Sequence, residues 1–508
     1  MQFALIDVLA FVAFIAAVVT VSLYASRKED TSEDYFLAGR NLTWWLISFS
    51  LIASNISTEH FVGMAGAGFG SAGLAIASYE WIAAITLVII GVYLLPIYLR
   101  LGIYTMPEFL EHRYGAPART LMAVYMLMAY IGVALASVLY SGAIGLQAIF
   151  GLDLYVGIWS IGILAGAYTI YGGLKAVVWS DLLQGSALLI GGAIITVIGL
   201  NKVGGLEQFL AAGSEKLHVV LPADHPEIPW TALLFGIWIP NFFYWGFNQF
   251  ITQRTLGARD LRNGQLGIIG AAAIKLVIPF IIVFPGIMAY QLYADQITNG
   301  DQAYPILIKH LMPVGLRGFL LAALFGAVMS SLDSMLNSAA TIFTMDIYKR
   351  HLNPEARPHT VVKIGRIATA VLVVLGCLLA PLPARFEGVF RYIQMIWGFI
   401  SPSIVAVFVF GLIFRRAPLR AAMAAMLLGI PMYGFLLWFY PEIAFLNHMA
   451  ITFTALILVM AAITFWQPLP EPVQFETRAT ASLQSSPAAR ILGAVVIVVT
   501  VLLYGVFW

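Results

Sequence analysis

Four ionisable side chains stand inside long apolar stretches of the sequence, where a helix must bury them: Glu80, Asp181, Lys275 and Asp333. A charge within hydrocarbon is costly unless it is paired or hydrated, so such residues mark binding sites and pathways. Because a carboxylate accepts and an ammonium donates hydrogen bonds, Glu80 and Lys275 indicate a neutral, hydroxyl-rich ligand held between them. The alternatives are a structural ion pair for these two residues and an ordinary helix cap for Asp181.

The run 327–334 offers neutral oxygens on one helix face, because an alanine and three serines recur at spacings of three and four: Ala327, Ser330, Ser331 and Ser334. Hydroxyl and carbonyl oxygens of this kind suit a hard monovalent cation. A serine-rich face in a membrane can equally serve helix packing. An unwound segment opposite this face would expose the carbonyls of Ala53 and Ile56, and this favours the cation site.

Two apolar stretches are interrupted. The second loses its apolar character over 54–60, and the seventh contains Pro240-Asn241 in mid-span, where proline removes a backbone donor. Inside hydrocarbon, a broken helix is tolerated only where it is buried or lines a cavity. The two breaks occupy the first helix of two successive five-helix blocks, so they indicate a transporter site at the membrane midplane rather than simple kinks.

Membrane helices must position these residues. The 508 residues are 61% hydrophobic and 10% charged, against about 45–50% and about 25% in soluble proteins, so the solvent is lipid. At about 20 residues per span, the sequence predicts 14 spans: 4–26, 43–70, 73–99, 120–149, 153–173, 178–200, 231–256, 264–294, 315–347, 362–380, 387–414, 419–440, 446–466 and 490–508.

The basic residues predict the orientation. Of the 27 lysines and arginines, 20 fall in alternate connections beginning with the first, Arg119 and Arg254 among them, and 6 fall on the opposite side. By the positive-inside rule, the termini are extracytoplasmic and the protein is a multi-pass plasma-membrane protein. The net charge of +2 argues against nucleic acid binding, and no obligate protein partner is predicted.

Motifs of enzyme chemistry are missing from the sequence. It contains no His-Glu-x-x-His pair, no phosphate-binding loop and no nucleophile elbow. The single cysteine, Cys377, excludes a disulfide framework and a thiolate metal site. We therefore expect no enzyme.

Several stretches, in order along the chain, together resemble the solute:sodium symporter family, and most closely its sodium/sugar cotransporter branch: Asp34–Arg40, Ala53–Ser57, Ile170–Val177 with Asp181, Phe247–Gln249 leading to Gln253-Arg254, and Met345–Tyr348. The resemblance covers roughly residues 1–470. It implies an all-α leucine-transporter-type fold with two inverted five-helix repeats whose first helices are discontinuous. The implied divisions are an extra helix and loop at 1–42, a first repeat at 43–202 and an extracellular loop at 203–230. A second repeat at 231–416 and three added helices at 417–508 follow.

The resemblance also implies roles for individual positions. The sugar-contacting residues match Asn55, His60, Glu80, Asn241, Lys275 and Gln394. Tyr244, beside Trp245, matches the aromatic residue that stacks on the sugar and closes the inner side. The outer gate matches Met64, Tyr79 and Phe390. The shared sodium site matches Ala53, Ile56, Ala327, Ser330 and Ser331, and the second site of members with two sodium ions matches Asp181, Ser330, Asp333 and Ser334.

Four positions depart from the family pattern. His60 replaces the glutamine of some sugar carriers, and Ala83 stands where some have a hydroxyl contact. Arg391 places a cation near the outer mouth. Asp333 is a carboxylate where a small neutral or hydroxyl residue is usual, which leaves the number of sodium ions open.

We expect a sodium-coupled symporter that imports a neutral monosaccharide, such as glucose or galactose, by alternating access. One alternative keeps the scaffold and changes the solute to myo-inositol or to a carboxylate such as a sialic acid, and Glu80 weighs against the carboxylate. Another is a sugar sensor or sodium channel, which a missing gate residue or an added signalling domain would favour; the sequence shows neither.

Overall fold

The structure is a computed structural model. It describes residues 4–26, 31–57, 60–385, 389–478 and 482–508, and only the backbone at 148–150, 384–385, 389–392 and 394. Within these ranges the chain is helical and contains no β-strand beyond two isolated bridges. The predicted all-α class is confirmed.

Eleven helices in the described ranges are long and apolar enough to cross a membrane. One of them, Leu154–Val203, has 50 residues and would be about 75 Å long, more than twice the hydrocarbon thickness of about 30 Å. Its backbone breaks at Gly173, with φ 52° and ψ −147°, so it forms two spans. Two further spans are broken helices, which gives the 14 that the sequence predicts.

The spans are labelled α1–α14 in chain order. The unbroken helices are α1 Leu5–Ala25, α3 Gly73–Leu101, α4 Ala116–Gln147, α5 and α6 before and after Gly173, α8 Leu261–Tyr293, α9 Leu316–Leu352, α10 Pro358–Leu379, α11 Val389–Ile413, α12 Leu419–Phe439, α13 Phe445–Trp466 and α14 Pro487–Val506. The broken helices are α2, with halves Trp44–Asn55 and 60–69, and α7, with halves Ala232–Phe247 and Gln249–Leu256.

The centre of the bundle is α9. Protein buries 83% of its most apolar segment, against 17–28% for α1, α12, α13 and α14, which lie at the periphery. Small residues on α6 bring the central helices close together: Gly185 faces Ala53 of α2, and Gly191 faces Leu320 of α9. The serine-rich face and the break of α2 are thereby held side by side.

The break of α2 lies where the sequence predicts it, but the predicted break of α7 at Pro240-Asn241 is wrong. Pro240 belongs to the continuous half Ala232–Phe247, and the helix is interrupted at Asn248, with φ −87° and ψ 125°. Wide π-type turns at Ala232–Gly236 and Phe243–Phe247 flank the proline. Such turns alter the hydrogen-bond ladder and so accommodate a ring that lacks a donor.

The N-terminal end of α1 is tied to α9 by a buried carboxylate. Asp7 Oδ1 accepts hydrogen bonds from the backbone N–H groups of Gly315 at 2.7 Å and Gly318 at 3.0 Å. These N–H groups belong to the start of α9, where no carbonyl within the helix can pair with them. Asp7 therefore acts as a helix cap from a distant part of the sequence.

Replacing Gly173 with alanine is expected to prevent folding. Gly173 has a positive φ, and a Cβ there would lie 2.2 Å from the carbonyl oxygen of Tyr35. We expect Gly173→Ala to yield little monodisperse protein in gel filtration, whereas Gly145→Ala, which meets nothing within 4 Å, should match the wild type. Equal yields of the two variants would contradict the assignment of the break.

Candidate functional site

The two broken helices border one cavity with a volume of about 130 Å³. The walls come from α2, α3, α4, α7, α9 and α11. The cavity is lined by these residues of the predicted substrate site and gates: Asn55, His60, Met64, Tyr79, Glu80, Asn241, Tyr244 and Trp245. The side chains of Gln394 and Phe390 lie outside the described residues, so their predicted roles stay predictions.

Glu80 lines this cavity and meets Lys275, which lies behind it and does not line the cavity itself. Lys275 Nζ lies 2.5 Å from Glu80 Oε2, and it also donates a hydrogen bond to Asn55 Oδ1. The ammonium lies 4.8 Å from the centre of the Trp245 ring. Lys275 has no exposed surface and Glu80 only 3%, so each charge depends on the other for compensation. Three predicted sugar contacts thus form one neutral group.

His60 completes this group from the second half of α2. Its Nδ1 accepts the backbone N–H of Ser57 at 3.4 Å, and its Nε2 lies 3.6 Å from Glu80 Oε1. With Nδ1 as acceptor, the neutral ring carries its proton on Nε2 and directs it at Glu80. Asn241, from α7, donates to the carbonyl of Ile237 at 2.9 Å and still lines the cavity.

Tyr79 separates the cavity from a larger vestibule. It lines both the cavity and a second space of about 1540 Å³, whose walls include the end of α12 and the start of α13. Met64, the other described residue of the predicted outer gate, is buried beside it. A side chain that forms a partition between two spaces is placed to open or close the passage between them.

Aromatic rings from α7 and α11 also line the cavity. The ring of Tyr244 contacts those of Trp245 and Phe250, with centroid distances of 5.1 and 5.2 Å and near-perpendicular planes for Phe250. Phe250 and Trp397 also line the cavity. We call Tyr244, Phe250 and Trp397 the aromatic floor.

One of the predicted sodium ligands, Ser331, contacts the first half of α2, and another, Ser330, contacts α6. Ser331 Oγ donates to the carbonyl oxygen of Ser54 at 3.5 Å, and Ser330 Oγ donates to Asp181 Oδ1 at 2.5 Å. Ala53 and Ala327 are fully buried. Among the described residues, no group of three or more His, Cys, Asp and Glu side chains could hold a metal ion.

Asp181 forms a buried ion pair that the sequence analysis missed. Its Oδ2 lies 3.2 Å from a guanidinium nitrogen of Arg254 and accepts hydrogen bonds from Ser50 at 2.5 Å and Ser54 at 3.2 Å. The Arg254 guanidinium also donates to Ser50 Oγ at 2.7 Å and to Ser334 Oγ. Counting Arg254 among the loop charges is therefore wrong, because the residue is fully buried. The helix-cap interpretation of Asp181 is also wrong, because it lies within α6.

Asp333 faces a different set of partners. Its carboxylate accepts hydrogen bonds from Tyr168 and, at 3.1 Å, from Thr169 Oγ1, both on α5. Of the four residues predicted for a second sodium site, Ser330 contacts Asp181 directly, and Ser334 connects to it through Ser54 and Arg254. Asp333 makes no hydrogen bond to this group.

A helical bundle with two broken helices around one central cavity is the arrangement of a secondary transporter. The model of the Sodium:solute symporter family matches residues 35–429. The chain belongs to this family, and it is a transporter rather than an enzyme.

Individual relatives share most of the chain. It is 39% identical over 535 residues to the sodium/glucose cotransporter of Vibrio parahaemolyticus, with 99% of this chain and 98% of the relative covered. It is 35% identical to the sodium/myo-inositol cotransporter 2 of Sus scrofa, covering 84% of this chain and 68% of the relative. The solved substrate-bound, outward-open structure of a Na+-coupled sialic acid symporter superposes with a TM-score of 0.82 at 22% identity, covering 92% of this chain and 99% of that one. The predicted fold is confirmed by this likeness.

Proposed function

We propose that this chain uses the sodium gradient to import a neutral monosaccharide of the glucose or galactose type across the plasma membrane. The observation that carries the proposal is the group formed by Glu80, Lys275 and Asn55 beside the cavity. It combines carboxylate and amide acceptors with an ammonium donor and has no net charge. Sugar hydroxyls both donate and accept hydrogen bonds, so they can replace the hydrogen bonds among Glu80, Lys275 and Asn55 one by one.

The charge balance favours a neutral solute over an acid. A substrate carboxylate would approach Glu80, whose positive partner is already engaged, and like charges at close range repel. Myo-inositol is the second candidate, because it is an uncharged polyol and the chain is 35% identical to a sodium/myo-inositol cotransporter. The sialic acid symporter shares the fold but only 22% identity.

Sodium would bind where α9 meets α2, through oxygens of these residues: Ala53, Ile56, Ala327, Ser330 and Ser331. The contact of Ser331 with Ser54 supports this position. An ion there would favour the outward-facing state, and sugar entry would allow Met64, Tyr79 and Phe390 to close above it. Release of sodium to the inside would then free Tyr244. A second ion among Asp181, Ser330, Asp333 and Ser334 stays a prediction.

The membrane placement is part of the same proposal. Both termini would be extracytoplasmic, and the divisions at 42/43, 202/203, 230/231 and 416/417 would separate the two repeats from the added helices. The basic residues on the proposed inner side support this orientation.

Transport in liposomes tests the proposal. In liposomes that contain the purified protein, radiolabelled hexose should accumulate inside when sodium is present outside the liposomes. It should not accumulate when potassium or choline replaces sodium. Unlabelled galactose or glucose in excess should compete, and N-acetylneuraminic acid should not. Accumulation without a sodium gradient would contradict the coupling, and competition by the acid alone would contradict the neutral substrate. Competition by myo-inositol alone would assign the second candidate.

A further inference from the structure

A buried tyrosine lies at the break of α7. The Tyr130 hydroxyl donates to Asn248 Oδ1 and accepts the backbone N–H of Phe250 at 3.2 Å. Asn248 is the N-cap residue of the half-helix Gln249–Leu256, and its side chain makes no capping bond of its own. Tyr130 therefore satisfies one of the N–H groups that lack a partner at a helix start. We call these two hydrogen bonds the Tyr130 bridge.

Tyr130 supports the aromatic floor without lining the cavity. Its ring lies 6.2 Å from those of Phe250 and Trp397, centre to centre, and Phe250 in turn contacts Tyr244. Tyr130 has no exposed surface. It therefore acts on the solute through other residues and is a positioning residue.

The backbone of α4 is also irregular at this point. Tyr130 begins a π-type turn, Tyr130–Leu135, within α4; the cavity-lining Ala134 lies in this turn, and the cavity-lining Val138 follows it. Turns of this kind within α-helices often mark functional sites. The π-type turn of α4 and the break of α7 thus meet at the Tyr130 hydroxyl.

The two halves of α7 make different contacts. The second half is anchored: Gln253 donates to the carbonyl of Phe36 and to Thr341 Oγ1, and Arg254 pairs with Asp181. The first half carries Tyr244 near its end, whereas Phe250 of the aromatic floor lies in the second half. If Tyr244 moves away from Phe250 while the second half stays fixed, the backbone must turn at Asn248.

We propose that the Tyr130 bridge holds this hinge and keeps the aromatic floor closed, and that opening toward the inside requires the hydroxyl to release Asn248 and Phe250. The inference rests on the alternating access of the proposed function. Removing the hydroxyl should shift the population toward the inward-open state even where the fold is intact.

Tyr130→Phe tests this, because it removes one oxygen and keeps the ring contacts. In a Cys377→Ser background, a reporter cysteine in the cavity, Met335→Cys, is modified by a membrane-impermeant thiol reagent from the cytoplasmic side. With sodium and no sugar, we expect Tyr130→Phe to raise the rate of cysteine modification about tenfold over the same protein with Tyr130. Such a change corresponds to about 1.4 kcal/mol. Asn248→Leu, which removes one of the two bonds of the Tyr130 bridge, should raise the modification rate by less, and the double variant should not exceed Tyr130→Phe.

The chain offers two controls. Tyr125→Phe, on the same helix, removes a hydroxyl that donates to the Met426 carbonyl at 3.3 Å, and it should leave the rate unchanged. Asn248→Asp keeps an acceptor for Tyr130 and should retain the wild-type rate. A Tyr130→Phe rate within about twofold of the Tyr125→Phe rate, a change far below 1.4 kcal/mol, would overturn the proposal. The assay uses sodium alone, so it stands even if no hexose is transported.

Discussion

Replacing Lys275 with methionine is expected to abolish uptake and to lower the free energy of unfolding by about 3–5 kcal/mol, the cost of breaking a buried ion pair from one side. Glu80 would remain nearly fully buried without its partner at 2.5 Å. Thermal unfolding of the purified protein and uptake in liposomes measure the two effects separately.

The double variant Glu80→Gln with Lys275→Met distinguishes binding from folding. It removes both charges, so most of the lost stability should return, because an uncharged pair of similar volume needs no compensation. Uptake should stay absent, since the ammonium donor and the carboxylate acceptor are both gone. If the double variant transported hexose like the wild type, the pair would be structural only.

Replacing Arg254 with methionine is expected to have an effect of similar size. The change leaves the fully buried Asp181 carboxylate without its cation and removes the bonds to Ser50 and Ser334. The free energy of unfolding should fall by about 3–5 kcal/mol, and uptake should be lost because these bonds join α7 to α2 and α9. Denaturation in detergent with and without sodium measures the loss.

Arg254→Lys and Arg420→Met are the matched comparisons. Lysine keeps the charge but cannot reproduce the planar fork, so it should restore only part of the stability. Arg420 is exposed and bonds to Gln467 at 2.9 Å, so its loss should have an effect near zero. Equal stability of Arg254→Met and Arg420→Met would show that the buried pair contributes nothing.

The sequence predicts those features whose signals are local. Span number follows from the lengths of apolar runs, and the break of α2 follows from polar residues at Ser54 and Asn55, which cannot face lipid. The break of α7 does not follow from Pro240, because the backbone can absorb a proline through wide turns on either side. The interruption appears at Asn248 instead, where a tyrosine on α4, 118 residues away in the sequence, accepts the freed N–H.

Charge counting fails for residues whose partners are distant. Arg254 follows an apolar span as a loop residue would, yet its partner Asp181 lies 73 positions earlier. Arg119, also counted as a loop residue, pairs with buried Asp346 at 2.7 Å. The residue types of Glu80 and Lys275 indicate a polar site, but only the packing of α3 against α8 decides that they touch.

The contact between Asp7 and α9 has a consequence for biosynthesis. The N–H of Gly315, which Asp7 needs, lies 308 residues further along the chain. At about 5–20 residues per second, the ribosome takes about 15–60 s to make that stretch. Throughout this interval Asp7 Oδ1 lacks both of its partners on α9, although Oδ2 can still accept the N–H of Ala4. The carboxylate must therefore stay in interfacial water or in the insertion machinery. Final docking of α1 therefore waits for the second half of the protein.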